Sequence, residues 1–262
     1  MHRRVALETA ALFTGGALAG CLQFGPSYDD HTVDLSVPEV WSDTVVASET
    51  FDTVEPPICG ERAPARARLE GTSQRQTITA HEFFRDDAGR YGVRGRYEGS
   101  FLQRLEATFY AGSRPVATTT HRVYGYRSGE IYEFTIVGTE GDPDAVDRYR
   151  VTVPDGADSG PGPTTRDGLE VLEDGWGVIG SSGDDPVYGA ALTLRNTTGE
   201  PTRRTYVRVK AYLEDGTLVH TGEDTVGAIP PGESHTFTVP YPRCDPGRIA
   251  DVDVRYFRLR GW

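Results

Sequence analysis

Along much of the chain, apolar and polar positions alternate one by one. Val207, Val209 and Ala211 fall on one side of a period-two pattern, with Arg208 and Lys210 on the other. Ala190, Leu192 and Leu194 alternate in the same way with Ala191, Thr193 and Arg195. An extended chain turns successive side chains to opposite faces, so such runs predict strands with one face on a core and one in water. Turn signals separate them: Asp215-Gly216 between Leu213 and Thr217 predicts a hairpin. Long runs of helix formers are missing, while Gly, Tyr, Thr and Val are plentiful. Short strands with regular turns predict an all-β protein built of antiparallel sandwiches of immunoglobulin-like type.

The alternating segments form two sets in the same order. Gly129-Glu130-Ile131-Tyr132-Glu133-Phe134-Thr135-Ile136 closes a turn and opens a strand, and Gly232-Glu233-Ser234-His235-Thr236-Phe237-Thr238-Val239 does likewise. Upstream, Leu105-Glu106-Ala107-Thr108-Phe109-Tyr110 matches Val207-Arg208-Val209-Lys210-Ala211-Tyr212, and Tyr91-Gly92-Val93 matches Tyr188-Gly189-Ala190. Two copies of one unit are expected, a first sandwich over 58–153 and a second over 166–262. The Gly- and Pro-rich 154–165 reads as a linker between them. Residues 21–57, acidic and irregular, read as a stalk whose best ordered piece is Thr44 to Ala47. Fully extended, such a stalk reaches on the order of 100 Å.

Composition adds an environment. The formal net charge is -12, Lys210 is the only lysine and Asn196 the only asparagine among 262 residues. An acidic, lysine-poor surface suits concentrated salt, where the Debye length shrinks to about 3 Å and carboxylates repel weakly. A GC-rich genome that favours Arg over Lys is the other reading. On either reading, nucleic acid is not the expected partner, because phosphate backbones need a basic face.

The first twenty residues read as a signal peptide. Arg3-Arg4 give a positive start, Ala10 to Ala19 a short apolar stretch, and Leu18-Ala19-Gly20-Cys21 resembles a lipobox. Cleavage before Cys21 and lipidation of its thiol would anchor the chain to the outer face of the cytoplasmic membrane. The adjacent arginines also resemble a twin-arginine export signal, although Glu8 fits that motif poorly. Lipidation of Cys21 leaves Cys59 and Cys244, either a disulfide or two free thiols.

The second unit, from about Leu169 to Phe257, resembles the FxLYD-type immunoglobulin-like domains of prokaryotic surface lipoproteins, here of haloarchaeal type. The residues that carry the likeness are Leu192-Thr193-Leu194-Arg195-Asn196-Thr197-Thr198, Val209-Lys210-Ala211-Tyr212-Leu213-Glu214-Asp215-Gly216, Ile229-Pro230-Pro231-Gly232-Glu233 and Phe237. Ala211-Tyr212-Leu213 only approximates the name-giving motif, and the first unit lacks the Pro-Pro before Gly129. The resemblance implies a sandwich fold and a non-enzymatic surface role, and names no ligand.

Candidate chemistry is sparse. No nucleophile elbow, phosphate loop, HExxH or dinucleotide fingerprint is present, and no catalytic, metal or cofactor residue is assigned. His81, His121, His220 and His235 lie in or beside strands without a repeating partner and read as surface or edge residues. Glu140, Asp142, Asp144 and Asp147 read as a solvated turn. Asn196-Thr197-Thr198 is a candidate N-glycosylation sequon. Tyr124 and Tyr126 should share one strand face; exposed, they form a binding patch, and buried, they fill the sandwich. The expected function is a non-catalytic binding or spacing module on the cell surface, with an envelope protein or glycan as partner. An accessory subunit docked on a membrane transport or secretion complex, or a hydrolase with an unrecognised site, are the rivals.

Overall fold

The period-two stretches form strands almost everywhere. The computed structural model describes residues 33–34, 45–51, 77–85, 90–154, 164–243 and 245–260. Two strands come first, β1 (Val33–Asp34) and β2 (Val45–Thr50). The first unit follows with β3 (Thr77–Arg85), β4 (Tyr91–Glu98), β5 (Arg104–Ala111), β6 (Arg114–Arg122), β7 (Ile131–Gly138) and β8 (Arg148–Thr152). After the short β9 (Thr164–Thr165), the second unit has β10 (Leu169–Ser182), β11 (Asp185–Asn196), β12 (Thr205–Tyr212), β13 (Leu218–Val226), β14 (Ser234–Pro240) and β15 (Asp251–Leu259).

The repeat read from the sequence is a repeat of topology. In the first unit β7-β4-β3 form one sheet and β6-β5-β8 the other; in the second, β14-β11-β10 face β13-β12-β15. Counted within each unit, both therefore read 5-2-1 and 4-3-6, an immunoglobulin-like Greek-key order. Finer features recur as well. The β5/β6 hairpin is irregular between Phe109 and Tyr110, and β12/β13 between Ala211 and Tyr212. Gly129 and Gly232 both take positive φ, at 91° and 75°, ahead of β7 and β14. A short 3-10 turn precedes each last strand, Pro143–Ala145 behind Asp142 and Pro246–Arg248 behind Asp245. The Asp-Pro pairs that start these turns are a repeat signal the alternation pattern does not carry.

Each unit has its own core. Phe83, Val93, Leu105, Phe109, Phe134 and Ile136 fill the first; Trp176, Leu192, Leu194, Val209, Phe237 and Val254 fill the second. Burying a side chain of this size stabilises by roughly 1.5–3 kcal/mol relative to exposure, which is why alternation on these strands decides their register.

The two units are not beads on a string. Strand β7, at the edge of its sheet, pairs in parallel with the edge strand β13 at Tyr132 and Leu218, so one sheet runs β1-β15-β12-β13-β7-β4-β3. Leu218 is fully buried and packs in the first unit's core, not its own. At that point the pairing covers two sheet edges at once. Parts of the expected stalk are also structural: β1 pairs antiparallel with β15, and β2 pairs parallel with β10. Within the expected linker, Thr164 and Thr165 pair with Leu259 and Arg258. The second unit thus recruits strands from both segments, because backbone groups at the edges of β10 and β15 need partners that local turns do not supply.

Candidate functional site: the junction cleft

Strand alternation places Tyr206, Arg208, Lys210 and Tyr212 of β12 on the face opposite the core. Pairing sets Phe257 beside Tyr206, Arg255 beside Arg208 and Asp253 beside Lys210 on β15, with Glu223 and Thr221 of β13 on the other side. In an isolated sandwich this face would meet water. Here the β6–β7 connection of the first unit lies over it, and Lys210 and Asp253 are buried.

A polar cluster fastens that connection down. Glu130 Oε1 accepts from Lys210 Nζ at 2.5 Å and from Tyr212 Oη at 2.9 Å, while Oε2 accepts from the Arg127 backbone N–H at 2.7 Å. Arg127 Nη2 donates to Asp253 Oδ2 at 3.1 Å, and the Tyr124 N–H donates to Thr221 Oγ1 at 3.0 Å. Burial pulls the Lys210 pKa down, against the hydrogen bond and charge of Glu130, which favour the ammonium. Burial first, and then the Glu130 carboxylate, push the Tyr212 phenol pKa up. A charge-assisted bond out of water is strong only when both ends are satisfied, and here they are.

Between this connection and the sheet lies a cleft of about 50 Å³, lined by Tyr124, Thr165, Arg166, Arg208, Lys210 and Phe257 among others. Its volume suits a few waters or one small ligand group. The guanidinium of Arg208 pairs through Nε with Glu223 Oε2 at 2.6 Å and lies 5.6 Å from the Tyr124 ring centre and 5.0 Å from that of Phe257. Arg166 stacks on Tyr256 at 3.8 Å, and Tyr206 stacks on Phe257 at 5.2 Å. On the far side of Asp253, a wider trough of about 740 Å³ is bordered by Arg127, Glu130, Tyr212, Glu214 and Asp251. The trough is larger but open. The cleft is the better-formed site, because its walls converge and aromatic faces alternate with cations.

A second buried cluster lies at the junction. His121 on β6 shares a 2.6 Å hydrogen bond with Tyr132 Oη, and Arg243 bonds the Glu133 backbone carbonyl. Burial, then the nearby Arg243 charge, hold His121 down at about 4. Burial, Arg243 and His121 together hold His220 on β13 down at about 3. His220 is therefore a neutral interior residue, which corrects its expected place at the surface.

Tyr124 and Tyr126 do not share a strand face. Strand β6 ends at Arg122, and Gly125 adopts φ +67°, a conformation that costs side chains and reverses the local alternation. A Cβ at Gly125 would stand 3.8 Å from the Lys210 side chain. Tyr124 lines the cleft, whereas Tyr126 packs edge-on to Tyr97 and donates to the Gly99 and Glu130 carbonyls.

Asn196 is also displaced from its expected role. Its side chain is fully buried; Nδ2 donates to the carbonyls of Glu200 and Ile229, and Oδ1 accepts from Thr198 N–H and Oγ1. Both amide hydrogens are used in the interior, so the folded protein presents no acceptor nitrogen for a glycan. Asp142 and Asp147 hold turns through Asp144 N–H and Gly112 N–H, and Asp144 pairs with Arg85. Among the described residues no group of three or more His, Cys, Asp or Glu is placed to hold a metal. Arg3, Arg4, Cys21, Cys59 and Cys244 lie outside the described residues.

Fold and cleft define a tandem β-sandwich protein with a ligand-sized site where the sandwiches meet. No family model matches the chain, and no curated protein matches it. Among solved structures, it is similar to the N-terminal CBM22-1–CBM22-2 tandem domain of Xyn10C from Paenibacillus barcinonensis. That likeness has 10% identity and a TM-score of 0.15, over 86% of this chain and 93% of the other. The C-terminal globular domain of an oligosaccharyltransferase from Pyrococcus abyssi is similar at 8% identity and a TM-score of 0.14, over 65% of this chain and 43% of the other. Scores this low say nothing of ligand or activity, and the strand order stands on the structure itself.

Proposed function

We propose that this chain is an exported, lipid-anchored surface protein whose two sandwiches act as one non-catalytic binding module, with the junction cleft as its contact site. The observation that carries the reading is the shared sheet. The β7–β13 pairing, with the Lys210–Glu130–Tyr212 cluster, fixes the first unit's connection over the second unit's sheet and shapes a cleft that neither unit has alone. Preorganised walls lower the ordering cost of binding. The address rests on the sequence: Arg3-Arg4, the apolar stretch and Leu18-Ala19-Gly20-Cys21 support export and a lipid on Cys21. A high-salt habitat and kinship with haloarchaeal FxLYD-type lipoproteins are part of the same proposal.

Cell fractionation with Cys21→Ser tests the anchor; release from membranes is expected, and continued retention overturns it. Crosslinking and recovery from native membranes in high salt, with wild type and Tyr124→Ala, tests the cleft. A bound molecule recovered equally from both would remove the cleft as the contact site. Docking to a membrane complex is favoured by one observation. Phe101 and Ile131, 47% and 37% exposed, lie at the same end of the first unit; loss of a protein partner in Phe101→Ser with Ile131→Ser would select that reading.

A further inference from the structure

We propose that the junction cleft is a subsite for a carboxylate carried on a small ring, an inference that rests on the cleft's being a binding site. Three of its cations already have an acid: Arg208 has Glu223 at 2.6 Å, Lys210 has Glu130 at 2.5 Å, and Arg255 has Asp253 at 3.8 Å. Arg166 differs. Among the described residues no acid pairs with it; its guanidinium lies on the Tyr256 ring at 3.8 Å, and its Nε is buried without a hydrogen-bond partner. Stacking fixes the plane of the fork without using its donors.

The chain carries a formal charge of -12, so an unpaired guanidinium among cations is out of keeping with its surroundings. A planar anion satisfies the two terminal Nη donors bidentately, while the buried Nε stays out of a ligand's reach. The cavity of about 50 Å³ has room for a carboxylate but not for a chain of rings. Tyr124 lines the same cleft and offers apolar ring surface to the ring that bears the carboxylate. Asp253 in the wall keeps the local potential moderate and disfavours a doubly charged phosphate. An acidic sugar and an aromatic acid share this chemistry.

Calorimetric titration of the full mature chain in salt-matched buffer tests the proposal, with glucuronate, benzoate, glucose and inorganic phosphate as probes. At least one carboxylate should bind tenfold or more tightly than glucose and phosphate; preference for glucuronate assigns a sugar, and preference for benzoate an aromatic acid. Arg166→Gln should weaken the carboxylate about tenfold and leave glucose unchanged, with Arg166→Lys recovering part of the loss. Equal binding of glucose, tighter binding of phosphate, or unchanged carboxylate affinity in a normally melting Arg166→Gln protein would each overturn it. Should that variant not fold, phenylglyoxal modification of the wild type decides: the carboxylate must slow reaction at Arg166, and no slowing refutes the assignment. If carboxylates fail while Tyr124→Ala still abolishes recovery of a bound molecule, only the ligand class falls. If Tyr124→Ala also has no effect, the cleft falls with it.

Discussion

Acidification should weaken the protein well before its carboxylates protonate, through His220 and His121. The ordinary pKa of 6.5 applies to both in the unfolded chain, whereas the folded protein holds them at about 3 and about 4. Between these limits the unfolded state binds protons that the native state refuses. Stability is therefore full above about pH 6.5 and falls as pH drops towards 4. From pH 7.5 to 5, an unfolded histidine goes from mostly neutral to almost fully charged, which by linkage favours unfolding by about 2 kcal/mol for each residue kept neutral when folded. The buried His220 contributes the whole amount; His121, whose surface is more open, adds up to as much again. Arg243 is the charge that faces both rings, and it opposes their protonation. His81, lowered by burial beside Tyr149, adds in the same direction. Urea denaturation at constant salt, at half-unit steps from pH 7.5 to 5, reads the slope. His220→Gln should flatten it by about 2 kcal/mol over that interval, whatever it does to stability at pH 7.5. A wild-type stability that is level across the interval, or a slope unchanged in His220→Gln, would refute the buried neutral assignment.

Three further outcomes follow from the same contacts. Lys210→Met leaves the half-buried Glu130 carboxylate with only the Tyr212 hydroxyl and the Arg127 N–H as donors and should cost up to about 3 kcal/mol in denaturant titration, whereas Lys210→Met with Glu130→Gln should recover most of that. Because Lys210 is the only lysine and its side chain is 3% exposed, amine-reactive reagents should leave it unmodified by mass spectrometry until denaturant opens the junction. Asn196→Ala removes two donated and two accepted hydrogen bonds in the interior and should lower stability by about 2–4 kcal/mol in thermal melts. The intact wild-type mass should carry no glycan at Asn196.

The strands and the repeat were legible because each rests on local pattern. Val207, Val209 and Ala211 announce a core face, and Gly129 and Gly232 announce equivalent turns. The site was not legible, because alternation reports only that Arg208 and Lys210 face away from their own core. Burial of Lys210 and Asp253 depends on β7 meeting β13, a pairing between residues 86 apart (218 minus 132) whose register no local signal encodes. Tyr124 and Tyr126 share one face only if Gly125 is a strand position, and its positive φ breaks that alternation. The first segment misled for a different reason: β1 and β2 are short, lie in acidic sequence, and owe their existence to partners far along the chain. Composition held the best unread signal. In a chain that all but abandons lysine and asparagine, the one of each that remains is interior and fully engaged. Lys210 supplies a compact ammonium beneath the junction, and Asn196 both donates and accepts across a turn.

The path of the chain also imposes an order of events during synthesis. The β3–β8 strands form an insertion within the second unit, whose outer strands β1 and β2 are made first. Val33 finds its partner Val254 only after 221 further residues (254 minus 33) have been added. At ordinary elongation rates that delay is about 10 to 40 s, long compared with the microseconds in which hairpins form. The first sandwich can therefore close while the ribosome is still working, and the second must wait for its final strand. Completion of the second sandwich consequently waits for β15, however early β1 has been made.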